Sequence, residues 1–123
     1  MHDLLATLTF NYVTASGNKT LRQHWASRYR DRNHWRTRVF AQAALSCAPR
    51  LADPIKRRVV VTRFGKRLLD HDNYVAGLKP LLDALTDNRL IWDDRMEYLD
   101  LVTEQGKLDP GSKPHMVVHI YDA

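Results

Sequence analysis

Cysteine is almost absent from this chain of 123 residues, since Cys47 is the only one. A lone cysteine excludes a disulfide within the chain, and it suits the reducing cytoplasm, where we expect this protein to act. We interpret Cys47 as a small apolar packing residue near a helix end. No apolar run approaches the roughly 18 residues of a membrane-spanning helix, so we expect no membrane segment.

Several catalytic and metal-binding patterns are also missing. The sequence contains no CxxC pair, no glycine-rich loop that would cradle a phosphate, and no Ser-His-Asp order. The histidines are scattered, and the repeat of His24-Trp25 as His34-Trp35 has a spacing of ten, which does not place two zinc ligands together on a helix. No repeat or low-complexity tract interrupts the chain. We therefore predict a single domain over residues 1–123.

Basic residues outnumber acidic ones, 19 to 14, and they are unevenly distributed. Between Lys19 and Arg38 the only acidic residue is Asp31. A basic segment of this kind is typical of proteins that bind the phosphate backbone of nucleic acids, although a solvated helix face is the alternative. The candidate DNA contacts are Arg22, Arg28, Arg30, Arg36, Arg38, Lys66 and Arg67.

The alternation of apolar and polar residues and the helix-capping signals divide the first half of the chain into a strand, a helix and a second strand. Leu4 to Phe10 is predicted as a strand, and a capping box beginning at Thr20 predicts a long amphipathic helix from Leu21 to Ser46. The β-branched stretch from Lys56 to Phe64 predicts a buried strand. We expect the large apolar residues of the helix to pack in the core: Trp25, Trp35, Val39 and Phe40.

The second half adds a helical region and two further strands. Leu68 to Asp72 is predicted to be extended, which would place Asp70 and Asp72 on one side and His71 on the other. Pro80 requires either a kinked helix or a short turn before a helix that starts there. Met96 to Thr103 and His115 to Tyr121 are predicted as strands joined by a long hairpin loop. The order β-α-β-α-β-β predicts an α+β fold with a four-stranded mixed sheet and two helices.

The stretch from Asp70 to Asp94 carries the chemistry. Two carboxylates lie at each end of it, and an apolar series at helical spacing joins the two ends. Clustered carboxylates repel one another unless a proton or a metal offsets their charge, and an all-oxygen cluster suits Mg²⁺ or Mn²⁺. The residues therefore indicate a divalent-metal phosphodiesterase site, whereas acidic residues that only cap helices and face solvent are the alternative.

These spacings resemble the signature of the RusA-like Holliday-junction resolvases, a family often encoded by phages and prophages. Asp70, Asp72 and Asn73 match the opening of that signature. Lys79 stands four residues before Asp83-Ala84-Leu85, and Asp94 stands eleven residues after Asp83. The chain departs from the founding type by about one extra helical turn before Lys79.

The resemblance implies a homodimeric endonuclease that resolves four-way DNA junctions by paired, metal-dependent nicks. We expect Asp70, Asp72 and Asp94 to bind Mg²⁺ (or Mn²⁺), with Asp93 as the substitute for Asp94. Asn73 would orient a ligand or donate to a phosphate, and Lys79 would face the scissile phosphate. Asp83 is expected to form a salt bridge or to support a ligand. Two alternatives remain: a metal-dependent nuclease acting on forks or flaps, and a non-catalytic nucleic-acid-binding module.

Overall fold

The structure is a computed structural model that describes residues 3–14 and 25–123, with side chains described from residue 30 onward in the second range. Its element order confirms the predicted α+β fold with a four-stranded mixed sheet, with one refinement: the second helical region is split into two short helices. The elements are β1 (Leu4–Phe10), α1 (Trp25–Leu45), β2 (Arg57–Gly65), α2 (His71–Gly77), α3 (Lys79–Asp87), β3 (Leu99–Lys107) and β4 (His115–Asp122).

The strands lie in the order β1-β4-β2-β3. β4 pairs antiparallel with both β1 and β2, while β3 pairs in parallel with β2. The predicted hairpin between β3 and β4 is therefore wrong, because β2 lies between them. β3 also continues to Lys107, past the point where we placed a loop. Gly106 is part of the strand: a Cβ there would lie 3.0 Å from the ring of Phe64, so the glycine makes room for that side chain.

One face of the sheet is covered by helices, and the core lies between them. The strands contribute alternate residues to it, among them Leu8, Val59 and Val118, all fully buried. From α1, Trp35 and Val39 are buried as predicted, whereas Phe40 is 54% exposed and lies under the Arg50 guanidinium, 5.1 Å from its ring centre. The prediction for Phe40 was wrong because one residue after Val39 the helix has turned by about 100°.

The end of α1 corrects the interpretation of Cys47. This residue is exposed and adopts the left-handed conformation with φ 52°. The Ala48 N–H donates to the Ala43 carbonyl at 3.0 Å, and the Cys47 N–H donates to the Ala44 carbonyl at 3.3 Å. This pair of bonds is the Schellman motif, which satisfies carbonyls left unpaired at a helix end. Cys47 thus terminates the helix and does not pack in the core.

Pro80 lies in the first turn of α3, where a missing N–H costs no hydrogen bond. Leu78 separates the two helices with φ −79° and ψ −9°, and it is fully buried. The prediction of a short element followed by a helix near Pro80 is the alternative that the structure favours, except that residues 71–77 are helical. Among the described residues, no helix combines the length and apolarity needed to cross a membrane.

Candidate metal centre

Asp70 stands at the N-terminus of α2 in an extended conformation, with φ −63° and ψ 153°. Its side chain makes no capping hydrogen bond to the helix backbone. Instead, Asn73 Nδ2 donates to Asp70 Oδ1 at 2.5 Å. Because Asn73 lies one turn into the helix, it orients a carboxylate that is exposed and remains available at the surface.

Asp72 does not share a strand face with Asp70, so that prediction is wrong. β2 ends at Gly65, and α2 already begins at His71, which places Asp72 in the first helical turn. A carboxylate there is favoured by the positive end of the helix dipole. His71, which we placed opposite the two carboxylates on a strand, is instead the first residue of the helix and is exposed.

Lys79 joins the middle of the acidic stretch to its end. Its Nζ lies 2.7 Å from Asp94 Oδ2 and 3.1 Å from Asp83 Oδ1. The hydrogen bond to Asp94 is the largest cause that raises the pKa of Lys79 above its ordinary value, and the pairing with Asp83 adds to it. Asp83 is therefore a salt-bridge residue, as predicted. The Lys79 side chain is 59% exposed, so it also remains in contact with solvent.

The two adjacent carboxylates of the return turn have different partners. Asp93 Oδ1 accepts the backbone N–H of Asp94 at 2.7 Å, and Asp93 Oδ2 lies 2.9 Å from Arg95 Nε. The backbone hydrogen bond is the first cause that lowers the pKa of Asp93. Asp93 thus holds the turn, while Asp94 faces Lys79. This geometry favours Asp94 over its substitute as the site residue.

A buried arginine fixes the stretch that leads into this turn. Arg57 Nη1 donates to the Leu90 carbonyl at 2.8 Å and to the Pro49 carbonyl at 2.7 Å. Burial lowers the pKa of Arg57, with a partial offset from Asp122. The two carbonyl contacts give the buried charge the hydrogen bonds that it needs, and they tie the return turn to the start of β2.

The donor chemistry of the acidic stretch fits Mg²⁺ or Mn²⁺, since Asp70, Asp72 and Asp94 offer hard carboxylate oxygens at positions that reach solvent. Their grouping is looser than we expected. Within residues 3–14 and 25–123, no three His, Cys, Asp or Glu side chains are placed to hold one ion together. The structure brings Asn73 to Asp70, and Lys79 to Asp94, as two separate contacts.

The candidate DNA contacts occupy α1 and the segment after β2. Arg30, Arg36 and Arg38 are exposed on α1, with Arg36 donating to Asn33 at 2.7 Å and Arg38 lying 5.5 Å from the centre of the Tyr12 ring. Lys66 and Arg67 are exposed between β2 and α2. Arg22 and the side chain of Arg28 lie outside what the structure describes.

Sequence reasoning missed two side chains that touch the segment before Asp70. Gln105 bonds to the backbone of Leu69, and Arg63 donates to the Arg67 carbonyl at 2.9 Å. Gln105 falls in the predicted hairpin loop, and Arg63 lies near the end of the predicted strand from Lys56 to Phe64. Continuing the alternation of β3 through Gly106 would have placed Gln105 on the same face as Leu99, but no sequence signal identifies its partner.

Comparisons with protein-family models, curated proteins and solved structures found no match to this chain.

Proposed function

We propose that this protein is a divalent-metal-dependent endonuclease that resolves four-way DNA junctions. The observation that carries the proposal is the contact between Lys79 and Asp94, 2.7 Å apart. The signature spacing links these two residues, and α3 with the turn that follows it brings them together. With Asp70 oriented by Asn73 nearby in sequence, the stretch presents oriented carboxylates and a cation at the surface.

In this proposal Asp70, Asp72 and Asp94 would hold the metal, although the described structure does not group them around one position. The metal would supply an activated water and charge for the departing oxygen. Asn73 keeps the Asp70 carboxylate in one orientation. Lys79 supplies a compact positive charge to the phosphate, where charge builds up during hydrolysis. The arginines of α1 and the pair Lys66 and Arg67 hold the phosphate backbone away from the cleaved bond.

Two further parts of the proposal concern assembly and location. A four-way junction has two-fold symmetry, and a homodimer with an isologous interface would place one site on each of two symmetric strands. Light scattering measures the molar mass of the protein, both alone and bound to junction DNA. A protein that is monomeric on the junction would contradict the paired-nick mechanism. The single cysteine fits action in the cytoplasm.

One gel tests the activity. A labelled four-way junction, a fork and a linear duplex are incubated with the protein, with Mg²⁺ and with EDTA. Symmetric nicks in the junction that require Mg²⁺ would support the proposal, and cleavage of forks in preference to junctions would favour the fork or flap nuclease instead.

A non-catalytic binding module is the second candidate. It is favoured by the absence, within the described ranges, of three grouped ligands, and by the neutralisation of Asp94 by Lys79. Such a module would bind branched DNA equally well in EDTA and in Mg²⁺ and would never nick it. The same gel, read together with a mobility-shift assay, separates the two candidates.

A further inference from the structure

The segment 66–70, between β2 and α2, is held by side chains and carries Asp70 at its end. The Leu69 N–H donates to Gln105 Oε1 at 2.9 Å, and Gln105 Nε2 donates to the Leu69 carbonyl at 2.8 Å. A carboxamide carries the same donor and acceptor as a peptide group. Gln105 therefore pairs with Leu69 as a neighbouring strand would, immediately before Asp70.

Arg63 makes a second contact to the same segment. It is the register partner of Gln105 in the parallel pair of β2 and β3, so both side chains lie on the helix-covered face. Arg63 Nη1 donates to the carbonyl of Arg67 at 2.9 Å, two residues before Leu69. Two adjacent side chains thus hold two backbone carbonyls of one short segment.

The path of Arg63 depends on a glycine. A Cβ at Gly65 would lie 2.3 Å from Arg63 Nη1, so only a residue without a side chain lets the guanidinium fold across this position. Arg63 is 9% exposed, and its Nε has no hydrogen-bond partner among the described residues. Burying a guanidinium with one N–H donor unpaired destabilises the folded state, and the hydrogen bond to the Arg67 carbonyl partly offsets this loss of free energy.

We propose that Arg63 and Gln105 are positioning residues: they clamp the backbone before Asp70 and so fix its carboxylate and the first turn of α2 for phosphodiester cleavage. This inference rests on the proposed endonuclease function. A segment without regular pairing opens easily, and a catalytic group displaced by about 1 Å can cost about 10²-fold in rate. The clamp acts on the rate of the reaction, because neither side chain needs to touch DNA.

Gln105→Met tests the clamp, since Met has a similar length and makes neither hydrogen bond. Glu104→Met is the matched control, because Glu104 immediately precedes Gln105 in β3 and points to the opposite face, where Thr62 donates to it at 3.2 Å. Amide hydrogen exchange of Leu69 in the intact chain should become faster by about 30-fold in Gln105→Met, which corresponds to the loss of two hydrogen bonds of typical strength. It should not change in Glu104→Met.

Kinetics of junction nicking give the second readout. We expect Gln105→Met to lower kcat by about tenfold or more and to leave KM for the junction within about twofold, with Glu104→Met near wild type in both. Gly65→Ala, which displaces the Arg63 guanidinium, should likewise lower kcat and leave KM nearly unchanged. Faster exchange with an unchanged kcat would overturn the positioning role, and a rise in KM alone would assign Gln105 to DNA binding instead.

The two proposals fail in different ways. If the wild-type protein nicks none of the substrates, the endonuclease function is overturned, and a difference in Leu69 exchange between Gln105→Met and Glu104→Met still supports the clamp. If exchange at Leu69 is equal in the two variants, the clamp is overturned whatever the nicking activity.

Discussion

Lys79 and Asp94 are fifteen residues apart in sequence, and their side chains meet at 2.7 Å. The contact joins the first turn of α3 to the turn that follows it. The helix α2 (His71–Gly77) precedes Lys79, and the buried residue Leu78 joins α2 to α3. In this arrangement the side chain of Lys79 faces the acidic end of the stretch.

Lys79→Ala should lower nicking turnover by about 10²-fold while changing junction affinity by less than about twofold. A single cation adds little to binding by a basic protein, but a cation aimed at developing charge affects the rate strongly. Single-turnover kinetics and mobility shifts measure the two effects, with the exposed Lys56→Ala as control. Thermal stability should change by less than about 1 kcal/mol, because an exposed ion pair contributes little. Normal turnover would remove Lys79 from the reaction and make Lys66 or Arg67 the candidate.

Asp94→Asn should reduce nicking by at least about 10²-fold and leave junction binding intact, because Asn keeps the shape but loses the charge that holds the ion. Asp70→Asn and Asp72→Asn should behave alike. Asp93→Asn should retain most of its activity and instead weaken the return turn, since Asp93 bonds to the Asp94 N–H and to Arg95. Cleavage assays on the four variants measure these activities. If Asp93→Asn were inactive and Asp94→Asn active, Asp93 would replace Asp94 as the proposed metal ligand.

Arg36→Ala combined with Arg38→Ala should weaken junction binding and flatten its dependence on salt. Each lost phosphate contact removes about 0.9 from the slope of log K against log salt concentration. Arg58→Ala is the control, since it removes one positive charge from the sheet face opposite the core, where Arg58 pairs with Asp100 at 2.7 Å. Fluorescence anisotropy across a salt series gives both slopes. If the double variant and the control have equal slopes of log K against log salt concentration, this face of α1 faces solvent and makes no phosphate contacts.

Tyr74→Phe should lower the free energy of unfolding by about 1 kcal/mol at neutral pH, since the buried Tyr74 hydroxyl donates to the Val61 carbonyl at 3.0 Å. Burial raises the pKa of Tyr74, although Arg63 lowers it in part. Because the pKa of Tyr74 is higher in the folded than in the unfolded state, its hydroxyl contributes fully to the free energy of unfolding below about pH 10. This contribution falls as the pH rises further.

The advantage of wild type over Tyr74→Phe should therefore shrink above about pH 10. Urea unfolding at neutral and alkaline pH measures it, and Tyr121→Phe, on the opposite face of the sheet, controls for the loss of a hydroxyl. An advantage that is constant with pH would mean that the Tyr74 hydroxyl is not kept neutral by burial.

The sequence predicted the elements better than it predicted their partners. Alternation placed β1 at Leu4–Phe10, and the helical spacing identified Trp35 and Val39 as core residues. Strand neighbours depend on contacts between distant residues, so nothing in the pattern of β3 and β4 showed that β2 lies between them. The local pattern also could not show that α2 begins at His71, because several polar residues there suit a helix start equally well.

In the candidate site, too, the sequence indicated contacts between nearby residues but not contacts between distant ones. The spacing of Lys79, Asp83 and Asp94 indicated residues that do meet, because a helix and its return turn are local structure. The contact of Gln105 with Leu69 spans 36 positions, and it depends on the parallel register of two strands. A register of that kind is set by the whole sheet and cannot be inferred from either segment.

The position of β4 has a consequence for how the protein folds as it is synthesised. β4 is the last strand of the described sheet along the chain, yet it lies between β1 and β2. While the ribosome is still making the earlier residues, β1 has no described partner and one edge of β2 is open. Exposed strand edges of this kind can pair with other chains, and contacts distant in sequence form slowly. The sheet can close only after His115–Asp122 has emerged, so the nascent chain depends on the completion of this one strand to protect its edges.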